Sequence, residues 1–175
     1  MLDRQPFAIR CLEAPDVPAV LSVIADCRRE YGLEPRVPAI LEPSDYGLFE
    51  AYRARRSAYF VAIVAGEVIG GAGIARLREA DGAVCELQRM YLRPGRRGVG
   101  IGRALLERCL QAARRFGYLH CYAETIHEMS GAIALYERLG FRRLDAPLGS
   151  SGHQHNDCWL LLQLQSAQQA ASVGI

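Results

Sequence analysis

The stretch RPGRRGVGIGRALLE, residues 93–107, holds four glycines and four arginines and then turns into an apolar helical pattern. A strand-like run over residues 83–92 precedes it. A helix over about residues 100–116 follows, with Leu105, Leu106, Cys109, Leu110, Ala113 and Phe116 at helical spacing. A helix N-terminus carries unpaired, partly positive backbone N–H groups. Glycines let a phosphate come close to them. A strand, a glycine turn and a helix in that order therefore predict a pyrophosphate cradle, not a bare tight turn. Two phosphate motifs fail here. The Rossmann pattern lacks its third glycine, because Arg103 stands where it would fall. The P-loop needs a lysine, and all 21 basic residues are arginine. ATP or NAD is thus a poor fit to the turn.

Working outward, the chain alternates strands and helices. Residues 7–12 read as a strand. A helix follows, with Asp16 as its cap, Pro18 in its first turn, an apolar face of Val20, Leu21, Val23 and Ile24, and Gly32 at its end. Residues 33–43 are loop-like, with three prolines, and Ser44 is placed to cap a second helix running to about Arg55. Residues 57–64 and 68–77 form a hairpin about Ala65-Gly66-Glu67, and Asp81-Gly82 turns into the strand that meets the glycine loop. Beyond the long helix, which Gly117 stops, come a strand (118–124), a helix (129–139) stopped by Gly140, and two strands (141–144, 158–164). This order predicts an α/β fold with a mixed sheet and helices on its faces. One domain over residues 1–165 and a polar tail over 166–175 are expected.

The totals narrow the function. Of 175 residues half are apolar, enough for a core, and 21 basic residues nearly balance 19 acidic ones, for a net charge of +2. A dedicated nucleic-acid binder would carry a strongly basic face. No apolar run reaches spanning length and the N-terminus lacks a signal pattern, so no membrane partner is expected. The six cysteines are dispersed with no CxxC pair, which suits a reduced, cytoplasmic protein and argues against zinc.

The loop Arg97-x-x-Gly100-x-Gly102 resembles the acyl-CoA loop of the GCN5-related N-acetyltransferase (GNAT) superfamily. Two further segments share the resemblance. The run Glu86-Leu87-Gln88-Arg89-Met90-Tyr91-Leu92-Arg93-Pro94 is similar to the family's fourth strand, and Ala132-x-x-Leu135-Tyr136-x-x-x-Gly140-Phe141 to its second signature. The resemblance implies a GNAT-type fold and an N-acetyltransferase that moves an acetyl group from acetyl-CoA to a primary amine, with no metal. It also implies site residues. Met90, Tyr91 and Leu92 would serve the pantetheine arm and acetyl carbonyl, in a gap where the fourth and fifth strands splay. Arg97, Gly98, Val99, Gly100, Ile101, Gly102 and Arg103 would hold the pyrophosphate. Tyr136 would protonate the leaving thiolate. Glu86, eleven residues before Arg97, matches the glutamate base of related histone acetyltransferases. Met129 stands where many members carry a pantetheine-binding Asn. A homodimer is common in the family.

Each assignment has a plainer counterpart. Glu86 could pair with Arg76 or Arg89. Tyr136 could only pack in a stripe with Ile133 and Leu139. The whole domain could bind acetyl-CoA as a sensor without turnover; the presence of Tyr136 favours the enzyme. His153 and His155, spaced as HxH, read as a polar loop rather than a metal site, and His120 and His127 as structural. No acceptor-specific motif is legible, so a small-molecule or peptide amine is the expected partner.

Overall fold

The computed structural model of the chain describes residues 6–33, 47–149 and 156–164. The cap predicted at Ser44, the His153–His155 pair and the polar tail lie outside them. The elements are β1 (Phe7–Cys11), α1 (Val17–Glu30), α2 (Leu48–Arg53), β2 (Ala58–Val64), β3 (Glu67–Arg76), β4 (Val84–Leu92), α3 (Ile101–Arg115), β5 (His120–Thr125), α4 (Ser130–Arg138), β6 (Arg142–Leu144) and β7 (Cys158–Gln163). Among the described residues the strands form a seven-stranded sheet in the order β1-β2-β3-β4-β5-β7-β6. It is mixed, as the sequence predicts. β4 and β5 run parallel, while β1–β2, β5–β7 and β6–β7 are antiparallel.

Two compact units divide the chain, Met1–Gly73 with Arg89–Cys109 and Ile74–Gln88 with Leu110–Ile175. The first holds α1, whose buried side chains Val20, Val23, Ile24 and Cys27 recur at helical spacing. Pro18 sits in its first turn and Asp16 at its N-cap position, as expected, but the Asp16 side chain makes no cap hydrogen bond. The Asp16 carboxylate turns back to Arg10, at 2.6 and 2.9 Å, and to the Glu13 N–H at 2.9 Å. A charged guanidinium outcompetes a neutral amide for a carboxylate, and it holds Asp16 below the usual carboxylate range.

In β2 and β3 the side chains are buried almost throughout. The glycines of β3 are there for close approach. A Cβ on Gly71 would lie 2.5 Å from the Tyr59 ring and 2.9 Å from the Phe60 carbonyl oxygen. Tyr59 takes that space and packs on Tyr52, ring centroids 5.0 Å apart.

In the second unit Leu77, Val84 and Tyr122 form a buried cluster that Leu144, Leu148, Trp159 and Leu161 close. The β4–β5 register runs from Val84↔His120 through Cys85↔Cys121 and ends at Glu86↔Tyr122. Every residue of β5 is paired with β7, from His120↔Gln163 to Thr125↔Cys158.

Candidate active site

The first unit carries the glycine turn and the second half of β4. Arg89 lies in the left-handed region, at φ 49°, in mid-strand. A side-chain-bearing residue adopts that conformation at a cost, and in a strand it marks a bulge that breaks the two-residue alternation. Regular strand alternation would put Glu86, Gln88 and Met90 on one face, and the bulge at Arg89 interrupts that alternation. The bulged carbonyl of Arg89 is not left bare, because the Tyr59 hydroxyl donates to it at 3.0 Å. Tyr59 is buried, and burial pushes its phenol well above the ordinary value, so it stays a donor.

Met90, Tyr91 and Leu92 follow, each half-buried. The Leu92 carbonyl accepts from Arg97 Nε at 2.9 Å and from the Cys27 thiol at 3.4 Å. Burial raises the Cys27 thiol above its usual value, which keeps that proton in place. The guanidinium of Arg97 is turned to α1, with Nη2 2.7 Å and Nη1 2.9 Å from the two Glu30 carboxylate oxygens. Its side chain thus ties the loop to α1. Arg103 reaches along α3 to Glu107 at 2.8 Å.

Gly98 and Gly100 both adopt positive φ, 79° and 95°, and nothing lies within 4 Å of where their Cβ atoms would be. Val99 is half-buried between them, and Ile101 is buried and anchors the start of α3. The amide of Ala104 bonds back to the Gly100 carbonyl at 3.0 Å. The N–H groups of Ile101, Gly102 and Arg103 form the leading turn, which contains no acidic residue. Backbone donors, open space and an uncompensated helix dipole suit an anion. A cavity of about 560 Å³ in this unit, lined by Asp16, Glu67, Arg93 and Arg96 among others, includes none of the predicted site residues.

The second unit carries the carboxylates. Glu86 is only 4% exposed. Gln88 Nε2 donates to its Oε2 at 2.7 Å. Burial raises Glu86 to about 7; the Gln88 hydrogen bond opposes it, the charge of Glu124 adds less, and Arg78 opposes least. On β5 the Tyr122 hydroxyl donates to Glu124 Oε2 at 2.8 Å, and Asn156 Nδ2 donates to Oε1 at 3.0 Å. Tyr136 on α4 is 5% exposed and stacks obliquely on Phe141, ring centroids 5.6 Å apart. Met129 begins α4 without a side-chain cap, and its sulfur accepts from Thr125 Oγ1 at 3.3 Å. His127, on the loop between them, has Nδ1 2.9 Å from Asp157 Oδ1, and that carboxylate also takes the His127 N–H at 2.9 Å. Cys85 and Cys121, adjacent across the register, are buried, and neither is in a disulfide. Among the described residues no three His, Cys, Asp or Glu converge on a point that could hold a metal ion.

Glu124, Tyr122, Asn156 and Tyr59 were not singled out from the sequence. The pairs Glu86/Gln88 and Tyr122/Glu124 share a two-residue spacing, which puts each pair on one strand face. That was the one available signal. Asn156 and Tyr59 gave none.

Residues 23–141 match the model of the acetyltransferase (GNAT) family. The uncharacterized N-acetyltransferase YjgM of Escherichia coli (strain K12) is 38% identical over 161 residues, 91% of this chain and 96% of that protein. A GNAT-family acetyltransferase structure from Staphylococcus aureus Mu50 superposes with a TM-score of 0.80 at 18% identity, covering 91% of this chain and all (100%) of that one. The structure of yncA, a putative acetyltransferase from Salmonella typhimurium with its cofactor acetyl-CoA, superposes at 0.74 with 24% identity, covering 91% and 94%. No helix among the described residues is long and apolar enough to cross a membrane. The chain belongs to the acetyltransferase (GNAT) family and is an acyltransferase.

Proposed function

We propose that the protein moves an acetyl group from acetyl-CoA to a primary amine by direct transfer in a ternary complex, within one domain over residues 1–165. The observation that carries this reading is Glu86, a buried carboxyl raised to about 7 and hydrogen-bonded by Gln88. An amine attacks a thioester only as the free base, yet most amines are protonated near neutral pH. A base with a pKa near the working pH takes that proton most effectively.

The remaining residues support the same chemistry. The open amides around Gly98, Gly100 and Gly102 fit a pyrophosphate, and acetyl-CoA supplies the thioester that the amine attacks. The nitrogen lone pair forms the new C–N bond, and a proton on nitrogen passes to Glu86. A β4 backbone N–H near Leu92 stabilises the oxyanion of the tetrahedral adduct. The C–S bond then breaks, and the Tyr136 phenol gives its proton to the leaving thiolate. Arg97 contributes by fixing the loop through Glu30 and the Leu92 carbonyl, and the phosphates are left to the amides.

A thermal-shift titration with acetyl-CoA, CoA, ATP and NADH in parallel tests the cofactor. Stabilisation of about 2.7 kcal/mol at a hundredfold excess over Kd is expected for acetyl-CoA and CoA alone. A panel of amines, followed by release of free thiol, then tests transfer. A folded protein with no CoA shift overturns the assignment.

A further inference from the structure

Glu86 and Tyr122 face each other at the end of the parallel register. Tyr122 is fully buried, yet its hydroxyl reaches past its own cluster to Glu124. Asn156, from the segment before β7, closes on the other carboxylate oxygen. Two donors from separate parts of the chain thus hold one oxygen each of a half-buried carboxylate. That carboxylate lies two residues along β5 from the partner of Glu86. Placing a second carboxylate beside a buried one is unfavourable, because the two charges repel where solvent screens them little. The arrangement persists because the donors compensate the charge they fix.

We propose that Glu124, clamped by Tyr122 and Asn156, is a positioning residue for the transfer reaction: its fixed negative charge adds to burial in holding the proton on Glu86. This rests on the reading of Glu86 as the base. The groups that bear on Glu86 are Gln88 on its own strand, Glu124 and Tyr122 on β5, and Arg78 on the turn before β4. Of these, Gln88 and Arg78 favour the carboxylate. Glu124 is the charge that opposes it, and so it adds to what burial does. A base that binds its proton more tightly removes it from the amine more effectively. Glu124 thereby makes Glu86 a stronger base without touching the reacting atoms. It does so only while held, since a free side chain would swing toward solvent.

Three variants and two readouts test this. Glu124→Gln removes the charge, Glu124→Asp keeps it, and Tyr122→Phe releases one arm of the clamp. The first readout is the pH profile of kcat/KM with the best amine of the panel. Glu124→Gln should move the acid limb to lower pH, raising the ratio of activity at about pH 6 to that at about pH 8 by about threefold, while the plateau falls. Glu124→Asp should keep the limb in place. The second readout is the ¹³C-carboxyl NMR titration of Glu86 in the free protein, without acetyl-CoA or acceptor. Glu86 should titrate at lower pH in Glu124→Gln and, by less, in Tyr122→Phe. A uniform loss of activity at every pH, with the Glu86 titration unmoved, would show Glu124 to be merely structural and overturn the proposal. Should Glu124→Gln fail to fold, an unmoved Glu86 in folded Tyr122→Phe overturns it as well. The NMR readout needs no turnover. A protein without transferase activity sinks the proposed function and still tests the link between Glu124 and Glu86.

Discussion

The hydroxyl of Tyr59 on β2 donates to the carbonyl of Arg89, the one left-handed residue of β4, across 3.0 Å. The bond ties the carbonyl of the bulge to a buried ring on the neighbouring part of the sheet. Tyr59→Phe keeps the ring and removes the donor. It should destabilise the protein by about 1 kcal/mol, the net worth of one hydrogen bond, and weaken acetyl-CoA binding because Met90–Leu92 follow the bulge directly. Denaturant unfolding and a CoA titration measure the two effects. An unchanged midpoint would mean that water replaces the phenol.

Glu86→Gln should abolish the acid limb of the pH profile. Wild-type kcat/KM should rise with pH through about 7 as Glu86 ionises and then level off. The variant should be at least about a hundredfold slower and flat in that range. Stability runs the other way. A carboxyl raised on folding contributes stability that is fully present below its unfolded value and is lost as pH rises through the folded one. Wild type should therefore lose stability between about pH 4 and pH 7. Glu86→Gln, with nothing to ionise, should be the more stable protein at about pH 8, by on the order of 2 kcal/mol. Melting curves of both proteins across that range decide it.

Tyr136→Phe separates packing from chemistry. The ring against Phe141 survives the change, so the packing share of its stability should be kept. The turnover number should fall by about tenfold to a hundredfold if the phenol protonates the thiolate. Equal losses in stability and activity would return Tyr136 to a packing role.

Gly100→Ala should cost about 1–2 kcal/mol, because a Cβ at φ 95° is strained although nothing crowds it. The affinity for CoA should fall further than stability, since the same backbone presents the loop amides. Comparing Kd with the unfolding midpoint checks the split.

Glu30→Ala should reproduce part of what Arg97→Ala does. Both remove the ion pair at 2.7 Å between α1 and the loop. The pair is about one-third exposed on each side, so stability should change by less than about 1 kcal/mol. Acetyl-CoA Kd should weaken in both variants. A loss confined to Arg97→Ala would instead make Arg97 a direct phosphate ligand.

Much of this protein was legible in one dimension. Among the described residues, most strands and helices fall close to where periodicity and the glycine and proline signals put them; the second helix, expected from Ser44 to about Arg55, is described over Leu48–Arg53. Those signals are local, set by side chains within a turn or two. The glycine turn could be read as an anion cradle for the same reason: a helix start and its free amides follow one another in the chain. Glu86 and Tyr136 could be named by resemblance alone.

What each of those residues touches depended on the tertiary structure. Glu86 titrates near neutrality because strands buried it and set Glu124 nearby, and no property of the sequence around it states how much water it loses. Asn156 reaches Glu124 across 32 residues of chain, and Arg97 reaches Glu30 across 67. Asp16 reads as a helix cap, but a guanidinium six residues earlier claims its carboxylate. Sequence sets short-range conformational preference. Desolvation and the pairing of charges depend on which distant groups the fold brings within about 3 Å of one another.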